Sequence, residues 1–217
     1  MLFRSGPGRP TVTDDDTRAY YEAEARLRLR PIGRAGLRVE LRQAFHRLLR
    51  DEGRTSVVDF GAGPAVEGAS FTEAGLRYVG IDVAVGNGLI AAEQGLHVVP
   101  GDVVAPPLRP RSFDAGWSMS VLMHLPAAEA AAAAAALADT LVPGAPFWIG
   151  LWGGPGTLHY DHTIEGHRRP YHQRTVQENS ELLTPAARVE GIDVHETGDS
   201  LGEYQVFRLR SLGEGRG

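Results

Sequence analysis

Between Ser56 and Trp152 the chain alternates short apolar runs with longer stretches of helical spacing. The runs SVVDF (56–60), YVGID (78–82), HVVP (97–100), FDAGWS (113–118) and PFWIGLW (146–152) read as strands. They are mostly continuous in apolar character, as strands covered on both faces are. Helices are expected at about 65–75, 86–94 and 127–141. The last of these, AAEAAAAAAALADTL, consists largely of the best helix former and is closed by Gly144. Strands and helices alternating in this way predict a parallel sheet with helices on both faces.

The flanks read differently. DDDTRAYYEAEARLRLR opens with acids and ends with cations, as a helix dipole favours. Pro31 and Gly33 interrupt it, and GLRVELRQAFHRLLRDEG follows as a second helix with Leu37, Leu41, Phe45 and Leu48 or Leu49 on one face. Near the other end, ENSELLTPAARV reads as a helix that ends near Pro185. GIDVHET and YQVFRLRS then read as strands, joined by GDSLGE in an antiparallel hairpin. The expected fold class is therefore α/β: a doubly wound, Rossmann-like sheet of seven strands, six parallel and the last reversed. Residues 54–217 form one compact unit, and residues 1–53 form a loose tail and a helical cap.

Composition narrows the chemistry. All 22 basic residues are arginine, and cysteine is absent. Lysine Schiff bases, a Walker-type phosphate lysine, disulfides, thiolate metal sites and cysteine nucleophiles are excluded. The net charge of −5 counts against a nucleic-acid partner. No apolar run approaches a membrane span, and MLFRSGPGRP lacks the apolar core of a signal peptide. A cytoplasmic protein with no membrane partner is expected.

Three acids recur at strand ends: Asp59, Asp82 and Asp102. In a doubly wound sheet all three fall at the carboxyl edge, where ligands bind. Gly61 and Gly63 let backbone approach a ligand closely. Asp82 is spaced to accept hydrogen bonds from ribose hydroxyls, which suits a dinucleotide as well as S-adenosyl-L-methionine (SAM). The dinucleotide fingerprint G-x-G-x-x-G fails, because Val66 stands at the third glycine position. Asp59, two residues before the first glycine, would repel a pyrophosphate and attract an ammonium.

At these residues the chain resembles the class I SAM-dependent methyltransferases. VVDFGAGPA is similar to their glycine-rich first motif, VGIDVA to the second and GDVVAPPL to the third. FDAGWSMSVLMHLP resembles their fourth strand, active-site turn and leucine-histidine-leucine-proline tail; LVPGAPFWIG resembles the entry to their fifth strand. The helices of YYEAEARLRLRPIGRAGLRVE resemble those of small-molecule methyltransferases from high-GC bacteria, which fold over the cofactor. The resemblance implies SAM as cofactor, S-adenosylhomocysteine as product, and a small-molecule acceptor in bacterial secondary metabolism. It implies that Asp59, Gly61 and Gly63 border the methionine end, Asp82 and Val83 the ribose, Asp102 and Val103 the adenine, and Ser118 and Met119 the sulfonium. Tyr21 would line the pocket from the first helix. One departure stands out: Ala65 occupies the third glycine of the first motif, which matters if the turn requires a positive φ there.

Methyl transfer needs alignment and, for some acceptors, a base. The candidates are His124 and the histidines of TLHYDHTIEGHRRPYHQR, a loop expected over residues 157–174: His159, His162 and His167, with His172 beside them. HYDH has metal-ligand chemistry, but the place after the fourth strand where metal-dependent relatives carry an acid reads Ser118-Met119-Ser120, so no metal is expected. Arg168 and Arg169 suit an anionic group on the acceptor. Three rival functions remain: SAM-dependent cyclisation or elimination, a non-catalytic SAM-binding scaffold, and an NAD(P)-dependent oxidoreductase.

Overall fold

A computed structural model describes residues 15–28, 36–196 and 202–212. The expected tail over the first dozen residues, the break at Pro31 and Gly33, and most of the GDSLGE turn lie outside the described residues. Two helices, α1 (Asp15–Arg26) and α2 (Leu37–Asp51), precede the sheet. Then come β1 (Ser56–Phe60), α3 (Val66–Glu73), β2 (Arg77–Asp82), α4 (Val85–Glu93), β3 (Val98–Pro100) and β4 (Gly116–Met119). After a 3-10 turn (Leu122–His124) come α5 (Ala127–Thr140), β5 (Pro146–Gly153), β6 (Leu158–Ile164), β7 (His167–His172), α6 (Val176–Leu183), β8 (Ala187–Glu196) and β9 (Glu203–Ser211).

The main sheet runs in the order β3-β2-β1-β4-β5-β9-β8. β9 is antiparallel to both β5 and β8, and the other pairings are parallel. Six strands thus share one direction and the last is reversed, as the sequence pattern predicts. The order reverses beside β1, so the turns leaving β1 and β4 bound the crevice where ligands of open α/β sheets bind.

Two apolar layers hold the sheet. On one face Leu41, Phe45 and Leu49 of α2 and Phe71 of α3 pack on Trp117 and Trp148. Phe45 is fully buried, with ring centroids 5.1 Å from both Trp117 and Trp148. On the other face the small side chains Ala130, Ala133, Ala134 and Ala138 of α5 lie against the sheet with Leu137. α6 begins with a capping box in which Thr175 accepts from the Glu178 backbone and Glu178 from that of Thr175.

Two sequence expectations shift. The fourth strand starts at Gly116 rather than at 113, because Phe113 pairs instead with Leu141 in an isolated bridge. The 157–174 segment is not an open loop: β6 and β7 form a hairpin, turning at Glu165 and Gly166 with φ of 51° and 85°. Both signs are positive, as a tight twisted hairpin turn demands. The strand signal was masked by the histidines and arginines, although E-G between two runs was visible. No described helix is long and apolar enough to cross a membrane.

Replacing Phe45 by alanine removes the ring that joins α2 to the two tryptophans. Denaturant unfolding should show a loss of about 3–5 kcal/mol. A loss below about 1 kcal/mol would mean that α2 is not part of the cooperative core.

Candidate functional site

After Phe60 the chain reverses through Gly61-Ala62-Gly63-Pro64-Ala65 into α3. Gly61 and Gly63 have φ of 73° and 56°. A Cβ on Gly61 would stand 2.2 Å from Cγ2 of Val121, so the turn packs tightly on the segment that leaves β4. The Gly61 and Ala62 amides donate to the Ile81 carbonyl at 2.8 and 3.0 Å. The Gly63 amide donates to Oδ2 of Asp82 at 2.8 Å. Oδ1 of Asp82 accepts from the Ala84 amide and from Asn87 Nδ2, each at 3.0 Å. One buried carboxylate therefore fixes the glycine turn, the end of β2 and the start of α4 together.

Ala65 has φ of 61° and ψ of 39°. The turn does require a left-handed residue there, and an alanine in that conformation costs about 1–2 kcal/mol.

Asp59 lies beneath this turn, 3% exposed, and accepts from Tyr78 Oη at 3.0 Å. Burial pushes its carboxyl well above the usual carboxylate range, and the neighbouring Glu67 and Asp82 add to the shift; Tyr78 and Arg38 oppose it. Glu67, in the first turn of α3, pairs with Arg38 Nη1 at 3.3 Å. Asp102 is buried and its Oδ1 accepts from the Val104 amide at 2.9 Å, while Val103 points into the core. Val83, between Asp82 and the head of α4, is partly exposed. Glu67, Asp82 and Asp102 thus place acidic groups at this edge, with the Asp59 carboxyl buried beneath the turn. A phosphate would meet Glu67 at the helix terminus where such anions otherwise bind. A ligand with a cationic end fits this edge; a pyrophosphate does not.

At the end of β4 the structure separates three neighbours. Ser118 is fully buried and its Oγ donates to the Phe60 carbonyl at 3.1 Å. Met119 is buried on the opposite face, its Sδ 3.6 Å from Tyr204 Oη. Ser120, with φ of 62°, reaches the edge: its amide donates to Gly150 O at 2.6 Å and its Oγ receives Arg38 Nη2 at 3.1 Å. Arg38, Glu67 and Ser120 were not among the sequence candidates. Glu67 was visible inside the first motif, but nothing in the sequence linked α2 to the end of β4.

The candidate histidines divide as well. His124 is 6% exposed, with Nε2 2.7 Å from Tyr21 Oη and Nδ1 2.7 Å from the Pro170 carbonyl. The 3-10 turn that carries it is held by Arg174, which donates to the carbonyls of Leu122 and Leu125. His159 stacks on Tyr171 with centroids 5.1 Å apart, and Tyr171 in turn meets His124 edge-on at 4.9 Å. His167 binds Asp16 of α1 at 2.9 Å and remains 42% exposed, tying the hairpin to α1. The side chains of Asp161 and His162 lie outside the described residues. Among the described residues no three His, Asp or Glu side chains converge as a metal site.

Residues 58–149 match the methyltransferase domain family. No curated protein sequence matches the chain. The 1,6-didemethyltoxoflavin-N1-methyltransferase of Burkholderia thailandensis, solved with 1,6-didemethyltoxoflavin and S-adenosylhomocysteine, superimposes with a TM-score of 0.72 at 19% identity, over 97% of this chain and 94% of its own. The [4+2]-cyclase SpnF superimposes with a TM-score of 0.66 at 17% identity, over 97% and 100%. Magnesium protoporphyrin IX methyltransferase of Synechocystis PCC 6803, with bound S-adenosylhomocysteine, gives 0.65 at 16% identity, over 89% and 97%. At these identities the likeness is one of fold.

Two substitutions test the site without a ligand. Ala65→Gly relieves the left-handed strain and should raise unfolding stability by roughly 1 kcal/mol, less the entropy that a glycine adds to the unfolded chain; a net loss would mean the turn is unstrained. Asp59 is held above its ordinary value of 3.8, so the folded chain keeps its proton longer than the unfolded one. Its contribution is full below that value and is lost as pH rises through the raised one. Asp59→Asn should therefore gain on the wild type as pH rises from acid to neutral in pH-dependent melting. A gap that stays constant would refute a buried Asp59 carboxyl held above its ordinary value.

Proposed function

The chain has the class I fold of SAM-dependent methyltransferases and carries a methyltransferase domain at residues 58–149, and on that premise we propose that it transfers a methyl group from SAM to oxygen, nitrogen or carbon of a small-molecule acceptor. The observation that carries this reading is the carboxylate-lined glycine turn pinned by Asp82, which suits a cationic nucleoside and rejects a pyrophosphate. Asp82, with Val83, would hold the ribose through the acceptor capacity left on its oxygens. Gly61, Gly63 and the buried Asp59 would border the methionine ammonium, and Asp102 with Val103 the adenine. Met119 and Ser120 would bound the floor beside the reacting centre, with Ser118 supporting it from below.

SAM supplies, when bound, a methyl carbon made electrophilic by the sulfonium. The protein's part is to align the acceptor with that carbon and to keep water out. α1 and the β6–β7 hairpin cover the edge. They are joined by Asp16 with His167 and the Arg168 amide, and by Arg26 with Glu165. A small acceptor enclosed between them and the sheet accords with the net charge of −5, which counts against a nucleic-acid substrate. We extend the reading to an acceptor from secondary metabolism, a compound of the size of the 1,6-didemethyltoxoflavin bound in the Burkholderia thailandensis enzyme.

A second reading keeps the cofactor and replaces methyl transfer by cyclisation, since the [4+2]-cyclase SpnF shares the fold end to end. Product mass separates the two: methylation adds one CH2 to the acceptor, and cyclisation adds nothing.

Calorimetric titration is the direct test. SAM and S-adenosylhomocysteine should bind in the micromolar range and NAD should not. Asp82→Asn should weaken SAM by about tenfold to a hundredfold through the lost charged hydrogen bonds. Binding of NAD in place of SAM would overturn the reading.

A further inference from the structure

Tyr21 and His124 stand 103 residues apart in the chain and meet at 2.7 Å across the carboxyl edge. The other ring nitrogen, Nδ1, lies 2.7 Å from the Pro170 carbonyl. A carbonyl only accepts, so Nδ1 carries a proton; in the neutral ring Nε2 is then the acceptor and the Tyr21 hydroxyl the donor. His124 is buried and Tyr21 is partly exposed. A molecule arriving at this edge meets the phenol before the ring.

A cation completes the arrangement. The Arg169 guanidinium lies over the rings of Tyr20, Tyr171 and Tyr21 at 5.0, 5.3 and 5.9 Å, and its Nη1 donates to Tyr21 Oη at 3.4 Å. Burial works against its charge, but the Tyr21 and Tyr171 phenols outweigh burial and keep it charged. Tyr21 Oη thus receives from a cation and gives to an imidazole. Both contacts polarise the phenol towards its oxyanion.

The location matches the crevice. The turn bearing His124 follows directly on Val121, which packs on Gly61. Glu22, the residue after Tyr21, accepts from the Gly86 amide at the head of α4, two residues beyond the amide that Asp82 holds. Tyr21 is therefore set between the strand end that leaves β4 and the loop that leaves β2.

We propose that Tyr21 is the catalytic base for an O–H or N–H acceptor, with His124 the positioning residue that takes the phenol's proton; this rests on the methyl-transfer reading. As the acceptor atom bonds to the methyl carbon, its O–H or N–H bond breaks and that proton passes to Tyr21 Oη. The Tyr21 proton passes to His124 Nε2, while Nδ1 keeps its hydrogen bond to Pro170. The electron pair of the broken methyl–sulfur bond stays on sulfur, so the positive charge lost there reappears on the imidazolium. Solvent entering at Tyr21 after product release takes the proton away.

The test uses Tyr21→Phe, which keeps the ring and removes only the hydroxyl. Long-range 1H–15N spectra of the full chain without ligand should show His124 with a protonated Nδ1 and a bare Nε2, whose signal moves in the variant. A proton on Nε2 would overturn the relay. By calorimetry the variant should bind SAM within about twofold of wild type; a loss of about tenfold or more would make Tyr21 a cofactor ligand instead. With phenols, catechols and aryl amines as probe acceptors, kcat should fall about a hundredfold or more at unchanged KM for SAM. An unchanged kcat would defeat the proposal. Failure of the methyltransferase reading shows separately, as wild-type protein that binds no SAM.

Discussion

The carboxylate of Asp82 is the constraint on which the edge depends. It accepts from the Gly63 amide, the Ala84 amide and the Asn87 side chain, and so joins the glycine turn and the head of α4 to the end of β2. Buried amides without such an acceptor would each be destabilised by about 1–3 kcal/mol. Asp82 closes β2, the strand beside β1, where the strand order reverses. The group that holds the turn thereby couples the stability of the fold to the shape of this edge.

Charge is arranged around that anchor in an unusual way. Asp59 is desolvated and close to Glu67, so its charged form is disfavoured. Arg38 balances Glu67 and extends to Ser120, linking α2 to the end of β4. Backbone strain gathers at the same edge: Ala65 and Ser120 both have positive φ without being glycine. Such strain persists only where the surroundings over-determine it. Here they do, through α3 on one side and through Gly150 and Tyr204 on the other.

The covering elements are tied by polar contacts as well as by the buried Tyr20, Ala23, Ala25 and Tyr171. Asp16 holds the base of β7, Arg26 reaches the hairpin turn, and the Tyr20, Tyr21 and Tyr171 rings enclose Arg169. Several of these groups are half exposed, and exposed ion pairs contribute little stability. The ion pairs that join α1 to the hairpin therefore add little to the stability of the fold.

The alternation of apolar runs and helical spacing determined the fold class, the reversed last strand and the order of the elements, because burial on both faces of a parallel sheet leaves a strong linear pattern. Local spacing also determined the glycine turn and the acids Asp59, Asp82 and Asp102, since each lies at the end of its strand or within two residues of it. The tertiary structure alone decided the rest. It revealed that Ala65 must be left-handed, that Ser120 and not Ser118 reaches the edge, and that the histidine-rich segment is a hairpin. Above all it brought Tyr21, His124 and Arg169 together, and Arg38, Glu67 and Ser120 together. Those groups come from segments far apart in the chain, and contacts across such distances are set by how layers pack, which leaves no periodic trace in a sequence.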